Sequence, residues 1–515
     1  MKCKTVIITS LLLLSLLCLN TCCPEDEYQN YLNLIMTTEP KTLDPALSSD
    51  ITTGILTGLM YNNLIEFGIG TDVIPGLAKS WTLSQDGTVY TFMLQDSVTF
   101  WNGDPLTTAD VKYSFERLLH PDTRSPQTWL LTPIKGAREF MQGAADSVAG
   151  IRIISPKEFQ LHMEEPFAPF VGFLGAPATA ILSHRWQQDP KVAPMGTGPW
   201  MFDYWHADQE IKLDRNPTYF KTDVKLEGIF MNSMNEILTM AIEFEAGNLD
   251  VMAVPSSEFK YWTRSTTWEP YIHKLEELGL YYLAMNVERP PFDDVRVRQA
   301  LDLAVDKEKI IKQILHNSAV PAMGAIPPGL DGYDSTRTVR RYDPERARQL
   351  LQDAGYADGC EFELWVDPGA AVSQTIEAIQ HYLIAVGFEV HLIRSDWNMM
   401  RDAMRRGKTD SYWGNWWADY ADAENFLAPL FHSSNAARRN RYSNPQVDQM
   451  IERLQRSLDE SERIELAKQV DSILIAEVPY SFMWNPISYT VVQPTLKNYV
   501  PHLMPNANRY TDVYF

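Results

Sequence analysis

Helical and strand signatures alternate along this chain, each closed by its own capping chemistry, and this alternation most limits the fold: it calls for an α/β architecture. Asp343 and Pro344 open one helical pattern as N-cap and first helical residue, and Gly355 follows its end. Ile376, Ile379, Leu383 and Val386 recur at helical spacing and stop at Gly387. They give way to an alternating, strand-like run at residues 388–393. Thr107 and Asp110 form a capping box ahead of a helix that turns Val111, Phe115, Leu118 and Leu119 inward. Residues 90–94 and 98–100 read as short strands around turns at Asp86-Gly87 and Asn102-Gly103. Nothing repeats and no low-complexity tether separates these segments, so ordered chain must cross every domain boundary. At 515 residues there is room for roughly two to four domains.

The N-terminus sets the compartment. Lys2 and Lys4 precede an apolar run at residues 6–19. That run is shorter than the roughly 20 residues a spanning helix needs and fits a secretory signal. Leu19, Asn20, Thr21 and Cys22 resemble a bacterial lipobox, which makes Cys22 the expected lipidated residue, with Cys23 the alternative. Of five cysteines, Cys3, Cys18, Cys22 and Cys23 lie in or beside this leader. Only Cys360 lies in the body, so no internal disulfide is available there and stability must come from core burial. No later run approaches the length of a membrane span, so a soluble body is expected. A net charge of −21 argues against nucleic acid, whose phosphates require a basic surface.

One stretch is chemically dense: Trp413, Trp416, Trp417, Asp419, Tyr420 and Asp422 fall within a few residues. A carboxylate among indole rings receives a cation well, because partial desolvation strengthens both the ion pair and cation–π contact. An aromatic core with Asp419 at a turn would give the same pattern. Signs of catalysis are few. There is no H-E-x-x-H zinc helix and no G-x-S-x-G nucleophile elbow. Asp402 stands where a phosphate loop ending in Gly407, Lys408 and Thr409 needs its first glycine. Gly196 and Gly198 run into Pro199, which suits a tight turn, and the ten histidines are scattered. No catalytic residue, metal site or cofactor is expected.

A series of short motifs then runs in order along the chain. It begins at residues 39–45 (EPKTLDP), 77–81 (LAKSW), 84–87 (SQDG) and 100–107 (FWNGDPLT). It continues through residues 196–199 (GTGP), Arg215-Asn216-Pro217, residues 247–250 (GNLD) and 291–300 (PFDDVRVRQA). It closes with Asp343-Pro344, Ala354-Gly355-Tyr356, residues 416–422 and residues 443–448 (SNPQVD). In this order the chain resembles the family 5 extracellular solute-binding proteins, the peptide and nickel receptors of ABC importers, and most nearly the oligopeptide type.

The resemblance implies a two-lobed periplasmic-binding-protein fold of class II with a hinge and an extra subdomain on the N-terminal lobe. The leader and anchor would occupy residues 1–22, the first part of the N-terminal lobe 28–55, and the extra subdomain 56–185. Residues 186–277 would complete that lobe, 278–488 form the C-terminal lobe, and 489–515 return to the first, with hinges near 276–281 and 486–493. By the same resemblance Asp419 meets a peptide's α-ammonium and Trp416 lines a side-chain pocket, with Trp417 and Trp413 as neighbours. The backbone at Glu39, Pro40 and Lys41 would pair with the peptide main chain. The implied protein is a non-enzymatic, monomeric lipoprotein, held at the membrane by its lipid and serving a permease. A nickel-chelate or metallophore receptor, to which His432 would contribute, is the rival within the family. A secreted hydrolase using paired carboxylates is the rival outside it.

Overall fold

The computed structural model describes residues 30–338, 340–367, 369–434 and 440–515, so the leader, Cys22 and Cys23 lie outside the described residues. Within them the elements alternate as the caps require. Thr107 and Asp110 form the reciprocal capping box of helix Thr108–Leu119, which buries Val111, Phe115, Leu118 and Leu119. Asp343 accepts the Arg346 N–H at the start of helix Pro344–Asp353, and Gly355 just beyond takes a positive φ of 93°. Helix Ala370–Ile384 ends ahead of Gly387 (φ 109°) and strand Phe388–Arg394 follows. Residues 98–100 do not form the expected strand. A single bridge joins Thr99 to Pro105, with Leu106 N–H donating to Val98 O (3.0 Å) and Phe100 N–H to Asp104 O (2.9 Å) around the turn at Asn102-Gly103, and Val98 and Phe100 are buried.

Three principal sheets organise the chain. Tyr31–Met36 lies parallel to Gly228–Ser233, followed by antiparallel Glu210–Arg215 and Trp200–His206. Leu32, Leu34, Ile211, Leu213, Ile229 and Met231 form the core of this unit, and Val492, Leu496 and Val513 from the chain's end return to it. A second, antiparallel sheet (Ala78–Leu83, Val89–Leu94, Glu158–His162, Ile151–Ser155) carries helix Thr108–Leu119. In the third sheet, Cys360–Val366 runs parallel to Phe388–Arg394 through the intervening helix, a βαβ crossover. Ser411–Trp417, Gly279–Met285 and Tyr480–Val492 complete its centre.

Strand Tyr480–Val492 serves two bodies. Its first half pairs with Gly279–Met285, and its second with Ile272–Glu276 and Val251–Ala253. The change of partner falls at Pro486, whose carbonyl accepts the Glu277 N–H (3.0 Å). Gly279 is needed there: a Cβ would stand 2.9 Å from Pro486 Cγ and 3.0 Å from the Trp417 ring.

The subdomain built on the second sheet touches both bodies, not the first alone. Arg117 pairs with buried Asp44 (2.9 Å) on one side. On the other, Phe173 meets Tyr420 with ring centroids 4.6 Å apart, Ala168 N donates to Gln455 O (2.7 Å), and Arg456 pairs with Glu165 (2.9 Å). Its hydrophobic core is continuous with that of helices Glu424–Phe431, Pro445–Arg456 and Glu460–Glu477.

Candidate functional site

Where these bodies meet, a cavity of about 210 Å³ is lined from four directions. Residues 48–55 supply Asp50, Ile51 and Ile55 at the start of helix Ile51–Met60; Gln127, Trp129 and Leu130 come from the subdomain. Leu278, Trp417, Ala418 and Asp419 come from the junction and the strand end, and Leu503, Met504 and Asn506 from the C-terminal return. Its walls are mostly apolar, with two indole rings and two carboxylates. No lysine, arginine or histidine lines it among the described residues.

Strand Ser411–Trp417 positions the aromatic stretch, and strand alternation divides it. Trp413 and Trp417 share one face with Tyr281 of the neighbouring strand. Trp413 stacks on Tyr281 at 5.8 Å, and Trp417 meets the same ring edge-on at 5.3 Å. Trp417 reaches the cavity and donates from Nε1 to Glu277 (3.3 Å). Trp413 does not reach it. It is buried against Trp484 (5.4 Å) in the core of the third sheet. Trp416 points to the opposite face, outside the cavity lining, and donates to Asn425 Oδ1 at 3.3 Å.

Asp419 lies just past the strand. It is open to the cavity but enclosed by protein on its other sides, and that enclosure pushes its carboxyl up to about 6. Its backbone N–H donates to Asn425 Oδ1 (3.0 Å), and the preceding Ala418 N–H to Leu278 O (2.9 Å). The carboxylate thus hangs from two fixed amides at the strand's end.

The segment at residues 39–41 lies beside the cavity without lining it. Glu39 accepts from Trp205 Nε1 (2.7 Å) and Asp208 N (3.2 Å), and Pro40 is buried. Lys41 is exposed, with its N–H on Thr53 Oγ1 (2.9 Å) and its ammonium 3.6 Å from Asp50. Through Asp50 and Thr53 this segment abuts the cavity's edge. Sequence reasoning missed Asp50, Gln127 and Trp129. Asp50 carries a signal only as a helix N-cap, accepting from Thr53 N and Oγ1 (2.9 Å each). His432 is outside the lining as well; it pairs with Glu452 at 3.6 Å.

The profile described as "Bacterial extracellular solute-binding proteins, family 5 Middle" matches residues 72–438. The chain belongs to this family. The solute-binding protein is 28% identical to heme-binding protein A of Haemophilus influenzae, over 86% of its own length and 84% of that protein. It is 27% identical to the dipeptide-binding protein of Escherichia coli, over 90% of each. Its fold matches that of the DppA periplasmic binding protein from Helicobacter pylori in complex with the peptide STSA. There the TM-score is 0.79 at 26% identity, covering 94% of this chain and 98% of that one. The two-lobed α/β architecture is therefore that of the family. Among the described residues, no helix is long and apolar enough to cross a membrane.

Proposed function

We propose that this protein captures peptides in the cavity between its lobes and delivers them to the permease of an ABC importer, performing no chemistry itself. The observation that carries this reading is Asp419: a carboxylate held at a strand end and open to a mostly apolar cavity beside Trp417, while the cavity's other carboxylate, Asp50, faces Lys41. A peptide's α-ammonium, sealed from water, needs such a partner, and apolar walls accept varied side chains. The sequence relationship to dipeptide- and heme-binding proteins is compatible with a solute receptor, and the fold shared with a peptide complex supports the peptide among them.

The lining also bears on peptide length. With no basic side chain among the described residues of the lining, a free C-terminal carboxylate inside the cavity would be desolvated without a charged partner. This favours peptides of three or more residues, whose carboxylate reaches beyond it. A metal chelate is less well served, because His432 lies elsewhere and is engaged with Glu452. Hydrolysis by paired carboxylates is disfavoured by Asp50, whose oxygens already cap a helix.

We assign the hinge to residues 276–281 and 486–493, where strand Tyr480–Val492 changes partners. Attachment to the membrane follows from acylation of Cys22, with a second acyl chain making it stable. Native mass spectrometry of protein purified from its own host tests the function. Co-purified peptides with free amino termini are expected; a nickel chelate, a porphyrin or peptides with blocked amines would overturn the reading.

A further inference from the structure

The polar residue most deeply tied to Asp419 is one that the binding reading leaves unused. Asn425, in the first turn of helix Glu424–Phe431, has no exposed surface. Its Oδ1 accepts twice, from the Asp419 backbone N–H (3.0 Å) and from Trp416 Nε1 (3.3 Å). These two donors fix the amide's orientation, since exchanging O and N would set donor against donor. Its Nδ2 is buried and has no hydrogen-bond partner among the described residues. A buried amide N–H left unmet costs free energy, so such a group in a binding cleft calls for an explanation. The Oδ1 bond to the Asp419 backbone N–H sets the amide beside that residue. Tyr420 is already committed, donating to Glu424. Among the described residues, the acceptor that this backbone bond brings to the same amide is the Asp419 carboxylate.

We propose that Asn425 is the positioning residue of the binding site: its buried Nδ2 donates to the Asp419 carboxylate whenever that group is ionised, holding it ready for a ligand's cation. This rests on the reading of Asp419 as the ammonium receptor. One side chain then holds Asp419 twice, by its backbone N–H through Oδ1 and by its carboxylate through Nδ2. The receptor is oriented before the ligand arrives, and the ionised form is favoured in a site whose enclosure opposes it. Trp416, on the face turned from the cavity, acquires a function in this arrangement: its indole N–H locks the amide.

The other charged groups nearby are engaged. Asp50, on another wall of the cavity, faces Lys41 at 3.6 Å, and Glu277 accepts from Trp417. Behind the loop, Asp422 pairs with Arg463 (2.5 Å). Glu424, whose own carboxyl burial pushes up to about 7, accepts from Tyr420 and from Gln455 (2.6 Å). Because Glu424 titrates near the same range, the test must isolate Asp419.

The test uses the protein with aspartate carboxyls labelled with carbon-13, the Asp419 signal being the one lost in Asp419→Asn. Titration without ligand is compared with that of Asn425→Ala, and with Asn425→Leu, of matching volume, should alanine prevent folding. The midpoint of Asp419 is expected to rise by about one pH unit or more when the donor is lost. Calorimetry with the tripeptide Ala-Phe-Ala then compares the unmodified protein, Asn425→Ala, Asp419→Asn and the double variant. At pH 5, Asn425→Ala is expected to bind about tenfold more weakly, following that midpoint. It should make little further difference once Asp419 is Asn. An unmoved midpoint, or an equal loss of affinity in both backgrounds, overturns the proposal and leaves Asn425 a packing residue. Failure of the ammonium reading itself has a separate signature: Asp419→Asn binds Ala-Phe-Ala as the unmodified protein does, whatever the titrations show.

Discussion

Replacing Asp419 with asparagine removes one charge from the cavity while preserving shape and one acceptor oxygen. With its carboxyl near 6, Asp419 is about nine-tenths ionised at pH 7, so most of the protein is ready for a cation without further cost. Removing one member of a buried ion pair costs about 2–5 kcal/mol. Asp419 is open to cavity water before the ligand binds, which places the expected loss at the lower end, about 2–3 kcal/mol, or roughly 30- to 150-fold in affinity. The pH profile follows. A cation pulls the bound carboxyl down, so affinity is level above about 6 and falls by about tenfold per unit below it. It falls again where the peptide amine loses its own proton, near about 8. Stability without ligand has the opposite sense. The folded carboxyl lies above its ordinary value of 3.8, so its contribution is intact below that value and is lost as pH rises through about 6. Asp419→Asn should therefore melt higher than the unmodified protein at pH 7 while binding more weakly. Calorimetric titration with a tripeptide and its N-acetylated form, on both proteins, is the assay. Losses that add instead of overlapping, or an affinity unchanged down to pH 4, would refute the ion pair.

Other consequences are equally open to measurement. Glu424 is a buried acid pushed to about 7, so thermal stability should decline as pH rises from the ordinary carboxyl range through about 7, and Glu424→Gln should flatten that slope. Burial pushes the Cys360 thiol up to about 12, so maleimide should label the folded body at this position only after denaturant is added. Gly279→Ala sets a Cβ against Pro486 and the Trp417 ring, and should cost about 1–3 kcal/mol in chemical unfolding. Two closely linked changes are expected there, lower stability and altered peptide affinity, because the crowded ring lines the cavity.

The α/β alternation was legible because caps are local chemistry: Thr107 with Asp110, and Asp343 with Pro344, need only their own neighbours to mark a helix start. Val98 and Phe100 misled for a physical reason. Both are buried at alternate positions, but the pairing around Asn102-Gly103 closes after a single bridge, and a short apolar run does not fix how far a strand extends. The tryptophan stretch was legible as a site but not residue by residue. Trp413 and Trp417 share a strand face, and only their depth along the strand puts one in the core and the other in the cavity. Gln127 and Trp129 reach the cavity by tertiary folding from far along the chain, and nothing in their local sequence announces it. Asn425 carried no signal either, being one more polar residue near a helix start until its two acceptor bonds were visible.

A crystal structure with Ala-Phe-Ala bound tests the central claim most directly. The peptide's terminal nitrogen should lie within hydrogen-bonding distance, about 2.7–3.2 Å, of the Asp419 carboxylate, in a cavity walled by Trp417 and Trp129. A peptide seated outside this cavity, or one that turns its carboxylate end toward Asp419, would contradict it.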